Sequence, residues 1–309
     1  MQALLSAIAT MGLPLDAQRI FHGRGARFPG CEQWALDAFP PVFLLTSFQP
    51  ASELDLSLIR AALAARWQDL APDRPLDLVY QYRDEGRSET RLLSGSVPEP
   101  HLVSEQGSRY QVHLLKGQNH GLFLDMAGGR RWVRDHAQSR PGIKVLNLFA
   151  YTCAFSVVAL QAGAGSVVNV DMSSGALNIG RQNHQINGLD GKPARASFLA
   201  HDIFNSWGKI SRSGPYDLII LDPPSFQKGS FVATKDYARL MRRLPDLLAP
   251  GGHAMLCLNT PKLGLAFLQD QMLELAPQLA FVGRVANPPA FADISEDRSL
   301  KVLIYKAAD

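Results

Sequence analysis

At 309 residues the chain is long enough for two domains, and its 46% hydrophobic, 19% charged composition is that of a globular rather than a disordered protein. A net charge of +3 permits a nucleic-acid partner without requiring one. Three widely spaced cysteines fit no metal-ligand spacing, no apolar run reaches membrane-helix length, and Met1-Gln-Ala-Leu-Leu lacks the basic lead of a secretory signal, so a reduced, cytoplasmic setting without a membrane is expected.

Residues 1–124 carry 11 Lys/Arg against 13 Asp/Glu, a net of −2, and residues 125–309 carry 20 against 15, a net of +5. This distribution assigns any phosphate-binding surface mainly to the second half. Within the N-terminal segment, residues 1–39, Phe21-His-Gly-Arg24-Gly-Ala-Arg27 puts two arginines and a histidine on a glycine-rich stretch. A flexible loop that follows an RNA backbone through Arg24 and a simple solvated turn both fit. Residues 40–124 predict a small α+β domain. Val42–Phe48 reads as a strand, Asp55–Trp67 as an amphipathic helix, and Asp77–Arg83, Thr90–Leu93 and Tyr110–Leu115 as further strands. Lys116-Gly-Gln-Asn-His-Gly121 is the linker to a third region, residues 125–309.

That region opens with three apolar runs, Lys144–Ala150, Ser166–Asp171 and Tyr216–Asp222, separated by helical patterns. Short apolar strands alternating with helices imply an α/β fold with a parallel sheet covered on both faces. Asn147, Asp171 and Asp222 fall at strand ends, where ligands of such sheets bind. Asp171 follows Asn147 by 24 residues, a spacing suited to ribose hydroxyls. The first turn, Asn147-Leu-Phe149-Ala-Tyr151-Thr152-Cys153, has bulky side chains where a pyrophosphate needs close backbone approach. A nucleoside without phosphates is therefore expected, and S-adenosylmethionine is the common one.

Five motifs then stand in order: Gly121-Leu-Phe-Leu-Asp125, Asn147-Leu-Phe-Ala-Tyr-Thr152, Val170-Asp-Met-Ser173, Asn183-x-x-x-Asn187-Gly-Leu and Asp222-Pro-Pro-Ser-Phe226. Over roughly residues 78 to 309 the chain resembles the class I S-adenosylmethionine-dependent methyltransferases. Within them it is similar to the bacterial 23S ribosomal RNA methyltransferase family that holds cytosine-C5 and guanine-N7 enzymes. The resemblance implies a Rossmann-like methyltransferase domain, residues 125–309, behind a smaller N-terminal α+β domain. S-adenosylmethionine would be the cofactor, and RNA, ribosomal RNA or a ribosomal particle, the partner. Members often begin with an RNA-binding PUA module, for which residues 1–39 offer too little length.

Carried onto this sequence, the resemblance implies that Phe123 walls the adenine and Asp125 orders the loop leading into the site. Ala127 occupies the place of a family arginine, so Arg130 would have to hold the cofactor carboxylate. Asn147, Phe149, Tyr151 and Thr152 form the first turn, whose following helix start offers N–H groups to the methionine carboxylate. Asp171 would take the ribose, with Met172 against the adenine and Ser173 capping the next helix. Asp202 and Ile203 would read the adenine amino edge. Asp222, fixed by Pro223 and Pro224, accepts from a base N–H, and Phe226 stacks on an unstacked base. Lys228 and Arg298 are expected to meet phosphate, with Asp297 and Lys301 bordering the same side or closing a sheet edge.

In the family's cytosine enzymes a cysteine follows the strand after Gly-Gly and attacks carbon-6. Here Gly251-Gly-His-Ala-Met-Leu-Cys257-Leu-Asn259 puts Asn259 at that place, as the guanine-N7 members do, with Cys257 inside the strand. Transfer to a base nitrogen, guanine N7 first, is favoured. A cytosine-C5 enzyme using Cys257, a protein methyltransferase and a catalytically idle cofactor- and RNA-binding factor stay open. No zinc set or Ser-His-Asp arrangement is evident, and His201 reads as structural.

Overall fold

A computed structural model describes residues 1–309 apart from 85–86, 192–194, 225 and 228–230, and Phe226 and Gln227 by backbone only. The chain forms two compact units, one comprising Met1–Leu124 with Pro288–Ile294, the other Asp125–Asn287 with Ser295–Asp309. Among the described residues no helix is long and apolar enough to cross a membrane.

The first unit contains α1 (Gln2–Thr10), β1 (Gln18–His22), β2 (Trp34–Phe39), β3 (Val42–Ser47), α2 (Glu53–Leu70), β4 (Asp77–Asp84), β5 (Arg87–Ser94), β6 (His101–Glu105) and β7 (Ser108–Val112). β1 to β5 make one sheet in chain order, with β3 and β4 parallel and joined by α2; β6 and β7 pair separately. Ser52 caps α2, its hydroxyl accepting from the Asp55 N–H at 3.1 Å. Leu56, Ile59, Leu63 and Trp67 fall on one face of α2 and pack with Leu4 and Ile8 of α1 against Trp34, Leu36, Phe43, Leu45, Leu78 and Tyr80. Each such buried side chain contributes about 1.5–3 kcal/mol.

Residues 1–39 are thus no separate segment, contrary to the sequence reading; they supply a helix and two strands to this core. β2 escapes pattern recognition because Asp37 interrupts its apolar run. The carboxylate is buried yet satisfied, accepting from Arg19 Nε at 2.7 Å and Nη2 at 2.8 Å.

The second unit runs α3 (Ala127–Ser139), β8 (Lys144–Leu148), α4 (Ala154–Gln161), β9 (Ser166–Asp171), α5 (Ser174–Ile186), β10 (Ala196–Ala200), α6 (Trp207–Arg212), β11 (Tyr216–Leu221), β12 (Phe226–Gln227), β13 (Phe231–Val232), α7 (Ala233–Met241), α8 (Leu244–Leu247), β14 (Leu248–Leu258), α9 (Leu265–Leu275), β15 (Leu279–Arg284) and β16 (Lys301–Ala307). The seven-stranded sheet has the order β10-β9-β8-β11-β14-β16-β15. Its first five strands are parallel, and β16 runs antiparallel to both neighbours. This is a Rossmann-like α/β fold. Both faces are covered: Ile219 and Leu221 of β11 enter one apolar cluster, Leu218 and Ile220 the other.

After β8 the chain winds outward through β9 and β10, then returns to β11 on the opposite side of β8. The reversal leaves a crevice at the carboxyl ends of β8 and β11, the usual ligand position. The expected single span 125–309 is interrupted, because Pro288–Ile294 packs in the first unit, where the Ile294 N–H donates to Gly25 O at 3.0 Å.

Candidate cofactor and active site

Beyond β8 the backbone turns through Phe149, Tyr151 and Cys153, all left-handed with φ of 57°, 47° and 61°. Each such residue costs about 1–3 kcal/mol, a strain characteristic of ligand-binding turns. Asp171, at the end of β9, holds the turn together. One carboxylate oxygen accepts from the Tyr151 N–H and the other from the Ser173 N–H, both at 2.8 Å. A carboxylate has further lone pairs, so Asp171 can still accept from hydroxyls. Ser173 caps α5 as expected, accepting from the Ala176 N–H at 3.1 Å. Met172 is 54% exposed beside it, an apolar surface open to a flat ring. The buried Thr152 carbonyl accepts from Asn183 Nδ2 at 2.9 Å, which ties the turn to α5.

Under the turn lies a buried polar chain that motif reading missed. His184 Nδ1 contacts Gly180 O at 2.7 Å, so that nitrogen carries the proton and Nε2 accepts from Ser156 Oγ at 2.9 Å. Ser156 Oγ in turn accepts from Asn169 Nδ2, and Asn169 Oδ1 from Asn147 Nδ2. The direction of every bond follows from the histidine tautomer. It leaves Asn147 Oδ1, buried, with no partner among the described residues.

Cys153 fills the space above Gly180, where an added Cβ would sit 2.5 Å from its sulfur. Burial pushes its thiol well up, which fits packing rather than nucleophilic work. Asp202 caps the turn Ile203–Asn205, accepting from the Phe204 N–H at 2.7 Å and Asn205 Nδ2 at 3.0 Å, and Ile203 is buried. His201 contacts the Lys209 amine at 3.0 Å, outside the cluster below.

At the ends of β11 and β14 the polar groups converge. Asn259 Nδ2 donates to the Asp125 carboxylate at 2.9 Å. Asp222 is half-buried and followed by the buried Pro223 and half-buried Pro224. Burial, then the nearby Asp125 charge, lifts the Asp222 carboxyl to about 7, with Arg130 pulling the other way. Arg130, expected to hold the cofactor carboxylate, is buried in the first turn of α3, within electrostatic reach of Asp222. Tyr237 of α7 went unrecognised. It is fully buried beside Asp222, and its hydroxyl donates to the Cys257 carbonyl.

Cys257 is sealed inside β14 with its thiol pushed well above the ordinary value, mainly by burial and then by Asp222. Lys301 cannot border a substrate: it is fully buried, its amine donating to the Thr260 and Asp297 carbonyls at 2.7 Å each. Arg298 is exposed in the second unit, whereas Phe123, 41% exposed, and Arg24 belong to the first. Lys228 and the Phe226 side chain lie outside the described residues.

A parallel sheet with a reversed strand order, an acid closing its second strand and a proline-locked acid at the reversal defines a class I methyltransferase site. A family model described as S-adenosylmethionine-dependent methyltransferase matches residues 18–306, and the chain belongs to that family. Ribosomal RNA large subunit methyltransferase I of Aeromonas salmonicida (strain A449) is 30% identical over 232 residues, 74% of this chain and 57% of that protein. Ribosomal RNA large subunit methyltransferase K/L of Psychrobacter sp. (strain PRwf-1) is 38% identical over 178 residues, 56% of this chain but 21% of its own length. The chain therefore spans less than two thirds of these relatives. A crystal structure of the methyltransferase SMU.776 complexed with S-adenosylhomocysteine superposes with a TM-score of 0.81 at 25% identity, covering 99% of this chain and 81% of that one.

S-adenosylmethionine is the family's cofactor, and the residues present fit it. The strained turn, the spare lone pairs of Asp171, the exposed Met172 and the orphaned Asn147 oxygen form a cradle with acceptors for a nucleoside.

Proposed function

We propose that this chain methylates RNA, ribosomal RNA in particular, at a base nitrogen, with guanine N7 the favoured atom and no covalent intermediate. The carrying observation is the end of β14. The residue presented beside Asp125 is the amide Asn259, while the nearest thiol, Cys257, is buried and held protonated. Attack on a pyrimidine carbon needs a thiolate. Guanine N7 already has an in-plane lone pair, so alignment with the methyl group suffices.

When bound, S-adenosylmethionine supplies an electrophilic methyl on a sulfonium. The protein's own residues position and exclude. Asp171 would hold the ribose, and Asn147 would accept from a cofactor N–H. Pro223 and Pro224 stiffen the backbone beside the reaction centre. Asp222 in its carboxylate form would accept from the base N–H groups and thereby set the face of the ring presented. Asp125 and Asn259 brace each other next to it. The names of the Aeromonas and Psychrobacter relatives support ribosomal RNA as the substrate class.

The test is methyl transfer from labelled cofactor to total RNA and ribosomal particles from a deletion strain, with digestion to nucleosides. Labelled 7-methylguanosine that disappears with Asp222→Ala is the expected result. Labelled 5-methylcytidine would refute the nitrogen mechanism. Label in protein alone, or none despite cofactor binding, would refute RNA as the substrate.

A further inference from the structure

The first unit holds an arginine cluster that the net charge of its half concealed. In the sheet, Asp37 is in register with Leu44, and Leu44 with Val79. Side chains alternate along a strand, so Gln81 and Arg83 share the face of Asp37, while Leu36, Leu78 and Tyr80 point into the core under α1 and α2. Arg19, the register partner of Asp37, lies on the same face and forms its bidentate ion pair.

Arg83 is different. Its Nε contacts Gln81 Oε1 at 2.5 Å and its Nη2 contacts His120 Nε2 at 3.0 Å. His120 Nδ1 meets the His113 carbonyl at 3.0 Å, so Nε2 is the acceptor and the ring is neutral. Two neutral groups thus hold a half-buried cation, and burial lowers it to about 10. Arg24 lies within electrostatic reach of both Arg19 and Arg83. It stacks 4.0 Å over the Phe48 ring and makes no hydrogen bond or ion pair with any described residue. Stacking leaves the N–H edge of a guanidinium available to an anion.

The stretch carrying Arg24 is also locked rather than flexible, a correction to the sequence reading. Gly23–Gly25 forms a 3-10 turn closed by the Ala26 N–H to the Gly23 carbonyl at 2.9 Å. A Cβ on Gly23 would stand 1.8 Å from the Cys31 carbonyl oxygen, and one on Gly25 2.2 Å from that of Ala292. Both glycines are needed for these close approaches, and the turn is ordered before any ligand arrives.

We infer that this face is a phosphate-binding site for an RNA strand, in which Arg24 and Arg83 take the backbone oxygens and Arg19 reinforces them. Arg19, Arg24 and Arg83 lie within electrostatic reach of one another. Among the described residues Asp37, already paired with Arg19, is the carboxylate that reaches Arg83, while Asp293 reaches His22, so a positive excess stays partly desolvated. A phosphodiester supplies both the missing charge and the paired acceptors that arginine forks match. The inference rests on RNA being the substrate, and it assigns strand capture to a unit separate from the cofactor cradle.

The full-length protein is tested by fluorescence anisotropy with a labelled single-stranded RNA at several salt concentrations. Arg24→Ala is expected to weaken binding about 5- to 10-fold and to lower the slope of log affinity against log salt by about 0.7, as loss of one phosphate contact does. S-adenosylhomocysteine affinity and melting temperature should not change. Arg60→Ala, at an exposed position of α2, removes the same charge elsewhere and should leave both the affinity and the slope near wild type. Equal effects of the two substitutions, or none from Arg24→Ala, would overturn the site. Absence of any measurable RNA affinity in the wild-type protein would also overturn it. Arg24-dependent RNA binding without methylated RNA would leave this site standing and refute the proposed reaction alone.

Discussion

Asp222→Asn should stabilise the protein at neutral and alkaline pH while abolishing its reaction. Burial, reinforced by Asp125, raises the Asp222 carboxyl from 3.8 to about 7. A folded-state value above the unfolded one means that the fold holds this proton more tightly than the open chain does. The resulting stabilisation is complete below about pH 4, declines as pH rises and is lost by about pH 7. At about 1.36 kcal/mol per pH unit the loss amounts to roughly 4 kcal/mol. An asparagine does not titrate and avoids it. Urea unfolding of both proteins from pH 4 to 8.5 should show the variant gaining several kcal/mol over wild type between pH 4 and 7, then a constant difference. Wild-type methyl transfer should fall as pH drops below about 7, because the acceptor role needs the carboxylate. Parallel stability curves across that window would refute the assignment of a desolvated carboxyl at this position.

Other substitutions test the remaining parts. Asp171→Ala removes the acceptor for two turn amides, and S-adenosylhomocysteine affinity measured by calorimetry should fall tenfold or more; unchanged affinity would exclude Asp171 from the cradle. Cys257→Ala should cost about 1–2 kcal/mol of stability and leave transfer within about threefold; a folded variant without transfer would reinstate a covalent route. Lys301→Ala strands two carbonyls that now accept from one buried amine, so unfolding should show a loss of about 3–5 kcal/mol, and a loss below about 1 kcal/mol would contradict its locking role. Gly23→Ala should fail to fold or melt much earlier in a thermal scan, since the added methyl meets backbone rather than a movable side chain.

Much of the second unit was legible because its signals are local. Apolar runs bounded by turns mark β8, β9 and β11, and an acid at a strand end marks a ligand position whatever surrounds it. The helix α5 starts directly after Ser173, because that residue is a cap read directly from the chain. The first unit was less legible. β2 carries an acid in its middle, and only its pairing with Arg19 across the sheet makes that residue tolerable in a core.

By itself, then, the sequence determined the alternation of strands and helices, the order of the motifs and the nucleoside-cofactor chemistry they carry. These depend on residue type and on spacing over a few turns. Tertiary structure alone decided which side chains share an environment. It put Arg130 and Tyr237 beside Asp222, buried Cys257 and Lys301, and joined Asn147 to His184 through two intermediates. It also gathered Arg19, Arg24 and Arg83 onto one sheet face. Burial and charge proximity are properties of the packed chain, and neither spacing nor composition encodes them locally.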